Sequence, residues 1–286
     1  MARGHAITAA VALSLGGCVA PAMSAAGQER IISLDYCADQ MLLGLVPKSR
    51  IAAVSVDVAS DPAFSAPLAG SLPRVRPDVE RVLALRPSLV IRSYGGGPRM
   101  EAALKAAGVR VFTLPYADDL AAVRSGILAS GEALGAEGKA AERVTALDAT
   151  LSAARTSTHA PRGTALYVTP GAVTTGPGSL VAAVMAAAGY SSYEQRPGWH
   201  SLPIERLIAR QPSVVLRSFY ESAAHRQDRW SPAGHSALAR ALGHTPSVTV
   251  PGSDLACGNW LVGHAVARLA GQAPAPAAET IASTAR

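Results

Sequence analysis

The sequence predicts an α/β protein with two Rossmann-like lobes, each built on a parallel sheet, joined by a long rigid helix, with a ligand cleft between them. The first observation is an internal repeat: residues 79–94 and 204–219 align without gaps and are identical at 8 of 16 positions. Strand-like and helix-like patterns alternate around both copies, and an alanine-rich segment without a strand pattern separates them. A duplicated lobe with a helical connector explains all three features.

Each copy of the repeat predicts a short amphipathic helix, a Pro-Ser break, and a buried strand followed by Arg-Ser-aromatic. Proline ends the helix because it lacks an amide hydrogen and clashes with the preceding turn. In open parallel sheets, ligands bind beyond the carboxyl ends of the strands. Arg92 and Arg217 are therefore expected to point into the cleft, with Tyr94 and Phe219 behind them. The alternative is a pair of surface arginines repeated by duplication.

The first 26 residues have the pattern of an export signal. Arg3 precedes an apolar stretch, residues 6–15, that is too short to span a bilayer. Small residues at 24–26 give one cleavage point, and the Leu-Gly-Gly-Cys at 15–18 resembles a lipobox that would leave a lipidated Cys18. Either route predicts an exported, periplasmic chain.

The first lobe is assigned to residues 27–117. It contains strands at 30–34, 51–54 and 110–113, helices at 41–45 and 99–107, a proline-rich loop at 57–77, and the first repeat copy. Alternation of strands and helices predicts a mainly parallel sheet covered on both faces.

The connector is assigned to residues 118–158, where leucine, valine and isoleucine recur at helical spacing among alanines. Gly131, Gly135 and Gly138 suggest a break within it. The second lobe, 159–270, contains strands at 164–168 and 248–250, helices at 180–188 and 261–269, a polar stretch at 190–200, and the second repeat copy. An Ala/Pro tail at 271–286 is expected to be disordered.

The composition excludes several classes of protein. Apolar residues make up 49% of the chain and charged residues 16%, which argues against intrinsic disorder. The net charge of +6 is scattered without a basic run, so no nucleic-acid partner is expected. The sequence contains neither Gly-x-Ser-x-Gly nor His-Glu-x-x-His, so no catalytic residues are assigned. An exported hydrolase on a duplicated α/β scaffold is kept as the alternative from a different class.

Export determines how the three cysteines are interpreted. Cys18 is lipidated or removed, which leaves Cys37 and Cys257. An oxidising compartment favours a disulfide between them if their backbones come close enough. The alternative is two separate buried thiols.

The order of these motifs resembles class III periplasmic substrate-binding proteins of ABC importers, which carry ferric siderophores, haem and vitamin B12. The matching pieces are the opening at 30–45, Arg-Pro-Ser-Leu-Val-Ile at 86–91, Gln-Pro-Ser-Val-Val-Leu at 211–216, and Ala-Leu-Gly at 133–135. The resemblance implies two lobes on a stiff single-helix connector. It also implies a monomeric receptor without a cofactor, whose ligand is an iron-siderophore or cobalamin and whose partner is an inner-membrane permease.

The resemblance also supplies candidate ligand residues. Trp199 matches the tryptophan that vitamin B12 binders place against the corrin ring, and an indole plane suits a flat macrocycle; alternatively it packs under a loop. Arg92 and Arg217 suit the anionic oxygens of a siderophore. The other candidates are aromatic residues near strand ends and helix starts, and the histidine beside Trp199: Tyr36, Tyr94, His200, Phe219, Tyr220 and Trp260.

Two further expectations concern haem and docking. Haem is a weaker alternative because no Tyr/His pair forms an identifiable ligand motif, and the histidines lack metal-ligand spacing, so no metal site is assigned. Family members often carry a glutamate on the first helix of each lobe that docks on permease arginines. The matching positions here are Gln40 and Ala186, with Asp39 as a substitute in the first lobe.

Overall fold

The computed structural model describes Met1 and residues 29–157, 161–219 and 240–271. Three predictions lie outside the described residues: the export signal beyond Met1, with Cys18; the candidate Tyr220; and the predicted tail apart from residue 271. In the part that is described, no helix has both the length and the apolar character needed to cross a membrane.

The first lobe is built on a five-stranded parallel sheet in the order β3-β2-β1-β4-β5. Its strands are β1 Ile31–Ser33, β2 Ile51–Ser55, β3 Arg74–Val75, β4 Leu89–Arg92 and β5 Arg110–Thr113. Its helices are α1 Tyr36–Leu45, α2 Ser65–Ala69, α3 Val79–Ala84 and α4 Gly97–Ala106.

The stretch predicted as a proline-rich loop at 57–77 is not a loop throughout: it contains most of a 3-10 helix, Val56–Ser60, and the short elements α2 and β3. The buried carboxylate of Asp61 accepts hydrogen bonds from the backbone nitrogens of Phe64 and Ser65. These bonds satisfy amides that the first turn of a helix leaves without partners, which explains why α2 begins there.

The second lobe contains a four-stranded parallel sheet in the order β11-β10-β6-β8 and a separate antiparallel ribbon, β7-β9. The strands are β6 Thr164–Val168, β7 Val173–Thr175, β8 Ser191–Ser192, β9 Trp199–Ser201, β10 Val214–Ser218 and β11 Ser247–Val250. The helices of this lobe are α7 Leu180–Ala187, α8 Ile204–Ala209 and α9 Val262–Leu269.

The two copies of the repeat form equivalent units. The first supplies α3 and β4, and the second supplies α8 and β10. Strand β4 lies between β1 and β5, just as β10 lies between β6 and β11. The predicted duplication of an α/β unit is confirmed by this topology.

The connector differs from the expected single rod. It consists of α5 Leu120–Leu134 and α6 Glu137–Thr156, separated by Gly135 in a left-handed conformation (φ 57°). The two helices fold back on each other: Arg124 on α5 pairs with Asp148 on α6, and a Cβ added at Gly131 would lie 2.4 Å from the Cβ of Ala140. Glycine makes both the sharp reversal and the close helix contact possible.

The apolar core runs through both lobes. Along β1 and β4, alternate residues such as Ile31 and Ile91 enter a core shared with the second lobe, whereas Ile32 and Val90 enter a separate core on the outer face. Tyr167 on β6 enters the shared core from the second lobe. The strand period of two thus assigns one face of each sheet to a common interior.

Helix α1 shows how tight this interior is. A Cβ added at Gly44 would lie 2.1 Å from Cζ2 of Trp260, whose ring is buried and makes an edge contact with Phe64. Interiors are packed too densely to absorb such an overlap without displacing an aromatic ring.

We therefore expect Gly44→Ala to lower the free energy of unfolding by about 1–3 kcal/mol, the usual cost of overpacking. The matched control is Gly138→Ala, also helical, where an added Cβ meets nothing within 4 Å. Because alanine favours helix, this control should hold or raise stability, by up to about 1 kcal/mol. Urea unfolding of both variants measures the difference, and equal effects would contradict the packing described.

Candidate functional site

A cleft of about 410 Å³ opens beyond the carboxyl ends of β4 and β5, against the ribbon and helix start of the second lobe. It lies within the range of roughly 300–1,000 Å³ that is usual for small-molecule sites. Its walls come from both lobes and from the segment before α9. The lining residues are Cys37, Met41, Ser93, Tyr94, Leu114, Pro115, Tyr116, Ala117, Gly126, Ser179, Leu180, Val181, Trp199 and residues 255–259.

Three exposed aromatic side chains enter this cleft. Tyr94 follows β4 and is 60% exposed, Tyr116 follows β5 and is 81% exposed, and Trp199 on β9 is 58% exposed. Large aromatic surfaces are costly to leave in water, so their grouping in one concave site marks a place for an apolar or flat partner.

Tyr116 is absent from the residues selected on sequence. Its position is nevertheless analogous to that of Tyr94, because both tyrosines come shortly after neighbouring parallel strands of one sheet. The sequence signal that could have identified it is an aromatic residue just past a predicted strand, outside the repeat.

Trp199 is held by the antiparallel ribbon. Its strand β9 pairs with β7, and Trp199 lies opposite Thr175 in this pairing. The indole makes an edge contact with the Tyr167 ring, with 5.9 Å between the ring centroids. The expectation that this indole is available for a ligand agrees with its exposure, and the alternative that it packs under a loop does not.

His200 does not line the cleft. Its Nε2 lies 3.3 Å from Oε2 of the buried Glu194, and its Nδ1 lies 2.9 Å from the carbonyl oxygen of Gly198. Burial by itself would raise the pKa of Glu194, but hydrogen bonds from the Arg196 amide, His200 and Arg206 outweigh it and lower that pKa. His200 therefore supports the strand that carries Trp199.

Cys37 and Cys257 form a disulfide, with 5.5 Å between their Cα atoms, and both line the cleft. Of the two alternatives left open by the sequence, the bridged pair is the one observed. Beside it, Asn259 Nδ2 donates to Gln40 Oε1 at 2.6 Å, and Gln40 Nε2 donates to the carbonyl of Ser253 at 3.3 Å. The segment before α9 is thereby fixed to the first helix of the other lobe.

The two repeated arginines do not line the cleft, which corrects their expected placement. Arg92 is buried, and its Nη1 donates to the Gly97 carbonyl at 3.0 Å and pairs with Glu101 at 3.3 Å. Arg217 is half-buried on the central strand β10. Strand alternation gives the reason, because Arg92 follows Val90, and Arg217 follows Val215, onto the outer faces of the sheets.

The other aromatic candidates also lie away from the lining. Trp260 is 6% exposed and packs in the shared core, with the Arg143 guanidinium 4.9 Å from its ring centroid. Tyr36 is half-buried at the first residue of α1, and Phe219 is half-buried at φ 67° directly after β10. Trp260 stands just before a helix start, a pattern that does not separate a ligand contact from a core anchor.

In the first lobe, the positions that correspond to the family's docking glutamate are interior. Gln40 and Asp39 are both fully buried, so neither can meet a partner's arginine. Asp39 accepts hydrogen bonds from the Ser33 hydroxyl and from the amide and hydroxyl of Ser55. Burial nevertheless raises the pKa of its carboxyl from 3.8 to about 6.

Over the three described ranges, no group of three or more histidine, cysteine, aspartate and glutamate side chains is arranged to hold a metal ion. The site is a mostly apolar, aromatic cleft with a disulfide in its wall.

Comparison with known proteins gives a consistent picture. A protein-family model described as "Periplasmic binding protein" matches residues 31–229. No curated protein sequence matches the chain significantly.

Solved structures show the same two-lobed fold. The periplasmic heme-binding protein BhuT, in complex with two hemes, is 23% identical with a TM-score of 0.68 over 86% of this chain and 97% of that one. A periplasmic heme-binding protein from Pseudomonas aeruginosa is 25% identical, TM-score 0.61, over 85% and 91%. The periplasmic vitamin B12 binding protein BtuF of Vibrio cholerae is 21% identical, TM-score 0.61, over 85% and 95%.

The raised pKa of Asp39 generates a test of pH dependence. Because its pKa of about 6 in the folded state exceeds the ordinary 3.8, the folded state holds this proton more tightly than the unfolded chain. Its contribution to the free energy of unfolding therefore falls as the pH rises from about 4 to above 6.

Asp39→Asn removes this titration. Relative to wild type, we expect the variant to gain stability between pH 4 and pH 7, on the order of 3 kcal/mol. The control is Asp78→Asn, at an exposed helix cap that asparagine can replace. Unfolding curves across this pH range measure the gain, and a constant difference between wild type and Asp39→Asn would contradict the assignment.

Proposed function

The chain belongs to the periplasmic binding protein family, and we propose that it captures a flat tetrapyrrole-type metal chelate, a corrinoid first, for delivery to an ABC permease. Members of this family bind their substrates outside the cytoplasmic membrane, before the substrates are imported. The observation that supports the ligand class is the group of three exposed rings, Tyr94, Tyr116 and Trp199, in one interlobe cleft.

A corrin or porphyrin ring offers two large faces and little conformational freedom. Aromatic side chains can cover such faces, burying much apolar area while losing few rotamers. Because Tyr94 and Tyr116 come from one lobe and Trp199 from the other, a flat ligand can contact both lobes at once. The vitamin B12 binder among the similar structures supports a corrinoid.

The cleft gives little support for a ferric siderophore as the ligand. That ligand required Arg92 and Arg217 to neutralise anionic oxygens from the two lobes, whereas neither arginine is in the lining. An anionic chelate would therefore meet mainly aromatic and apolar groups, which compensate poorly for its lost hydration.

Haem is the second candidate. The observation that favours it is the pair of tyrosines in the cleft, because a tyrosine oxygen is one of the ligands that proteins use for haem iron. Five of the similar structures are heme-binding proteins. Export through residues 1–26, with or without lipidation of Cys18, belongs to the same proposal.

Equilibrium dialysis of the mature protein against cyanocobalamin, and separately against haemin, tests the ligand class. We expect saturable one-to-one binding of cyanocobalamin, weakened about 10- to 100-fold in Trp199→Ala because a central aromatic anchor is lost. The control is Ile208→Ala, whose side chain is 66% exposed and lies outside the lining. Binding of haemin alone selects the second candidate, and binding of neither contradicts the proposal.

Docking on the permease is assigned to another pair of acids. Glu80 on α3 and Glu205 on α8 occupy the same position of the two repeat copies, each in the first turn of its helix, and both are exposed. The duplication therefore presents one carboxylate on each lobe at equivalent points, which suits two arginines of a paired permease surface.

We expect Glu80→Gln with Glu205→Gln to leave cyanocobalamin affinity unchanged and to slow uptake into cells by about tenfold or more, since charge pairs set docking. The matched control is Glu132→Gln on α5, an exposed glutamate that the repeat does not duplicate. Normal uptake by the double variant, or equal loss in the control, would rule out this pair.

A further inference from the structure

We infer that Asp35 is a positioning residue that holds Tyr94 in the cleft without touching the ligand itself. Asp35 is fully buried and lies outside the cleft lining, whereas Tyr94 lies in it. The effect on affinity rests on the proposed function, because it requires Tyr94 to contact the bound chelate. The effect on the turn that carries Tyr94 does not depend on any ligand.

The carboxylate of Asp35 binds the turn after β4 through four hydrogen bonds. Its Oδ2 accepts from the backbone nitrogens of Ser93 at 2.7 Å, Tyr94 at 3.1 Å and Gly95 at 2.9 Å. Its Oδ1 accepts from the Ser93 hydroxyl at 2.7 Å. Three consecutive amides on one buried carboxylate oxygen fix the backbone of the turn, because bonds to an ionised acceptor are the stronger kind.

The same carboxylate fixes the start of α1. Its Oδ1 also accepts from the Ala38 nitrogen at 3.0 Å and so caps the helix that carries Cys37. The turn that carries Tyr94 is therefore tied to the first turn of α1, while the tyrosine itself is exposed and lines the cleft.

The turn also rests directly on the chain beneath it. A Cβ added at Gly95 would lie 2.4 Å from the carbonyl oxygen of Leu34. Only a residue without a side chain permits this approach, and it brings the amides of the turn within reach of Asp35. Packing and hydrogen bonding thus define the same position for Tyr94.

Among the described residues of the second lobe, no aspartate stands at the position equivalent to Asp35, although the sequence repeats Arg-Ser-aromatic. The strand register shows which residue of the second lobe is equivalent to Asp35. Leu89 and Val214 occupy the same position of the repeat, and they pair with Ile31 and Ala165, respectively. Asp35 lies four residues after Ile31, so its equivalent is Thr169, four residues after Ala165. The Thr169 hydroxyl is used within its own turn, where it accepts from the Val173 nitrogen.

The duplicated serine differs accordingly. Ser93 donates to Asp35, whereas its counterpart Ser218 donates to the Pro251 carbonyl at 3.4 Å. The aromatic residue after it, Phe219, is outside the cleft lining, while Tyr94 is within it. A buried carboxylate thus stands at one of two equivalent positions, beside the turn whose aromatic residue lines the cleft.

The first experiment reads the turn without ligand. Amide hydrogen exchange is compared between wild type, Asp35→Ser and the control Asp78→Ser, which alters the cap of α3 but binds no distant turn. Serine can still cap α1 but cannot reach the amides of residues 93–95. We expect these amides to exchange about tenfold faster or more in Asp35→Ser, with α1 still protected.

The second experiment reads the consequence for binding. Cyanocobalamin affinity is measured by dialysis for Asp35→Ser, Tyr94→Ala and the double variant, with haemin used if it is the chelate that binds. We expect Asp35→Ser to weaken binding roughly 5- to 30-fold on its own, and to have little further effect once Tyr94 is alanine.

A second perturbation covers the case in which Asp35→Ser fails to fold. Gly95→Ala displaces the same turn from the Leu34 side and should give the same loss, again dependent on Tyr94. Unchanged exchange at residues 93–95 overturns the inference. So does an affinity loss of equal size with and without Tyr94. If wild type binds neither chelate, the proposed function fails, and the exchange result still decides the role of Asp35 in the turn.

Discussion

The attachment of the segment before α9 to helix α1 is the constraint on which the cleft depends. The disulfide joins Cys37 to a residue 220 positions away, and Asn259 and Trp260 pack beside it against Gln40 and Gly44. A cross-link over so long a chain removes much of the freedom of the unfolded state. Since residues 255–259 form one wall of the cleft and α1 another, this attachment sets their separation.

The shared core extends the same constraint to the whole molecule. Residues from the inner faces of both sheets, from α5, α6 and α7, and from α9 belong to one continuous apolar cluster. Because densely packed interiors deform little, this shared core holds the two lobes together as one unit instead of as independent domains. A receptor built this way presents a largely preformed site, which reduces the ordering that a ligand must impose on binding.

Differences between the two copies of the duplicated unit explain why the cleft is asymmetric. The strands β1-β4-β5 of the first sheet repeat the order β6-β10-β11 of the second, yet the cleft is not symmetric. The first lobe contributes Tyr94 and Tyr116, and the second contributes Trp199 from the ribbon β7-β9. The ribbon has no counterpart among the described elements of the first lobe. The three exposed aromatic residues of the cleft therefore stand at positions where the two copies differ.

The sequence by itself determined the α/β class, the duplicated unit, the order of elements, and Tyr94 and Trp199 as exposed aromatic candidates. These features follow from periodicity and from local signals such as Pro-Ser breaks, which act within a few residues. Its cysteines made a bridge plausible, and only the distance between Cys37 and Cys257 in the fold decided it.

Tertiary structure alone decided which strand-end residues reach the cleft. Arg92 follows the pleat onto an outer face, Trp260 fills the space over Gly44, and Tyr116 enters the cleft from a strand outside the repeat. Asp35 acquires its role from amides some 58 to 60 residues away. Local sequence sets which backbone forms, but the direction and the partners of a side chain depend on segments that only folding brings together.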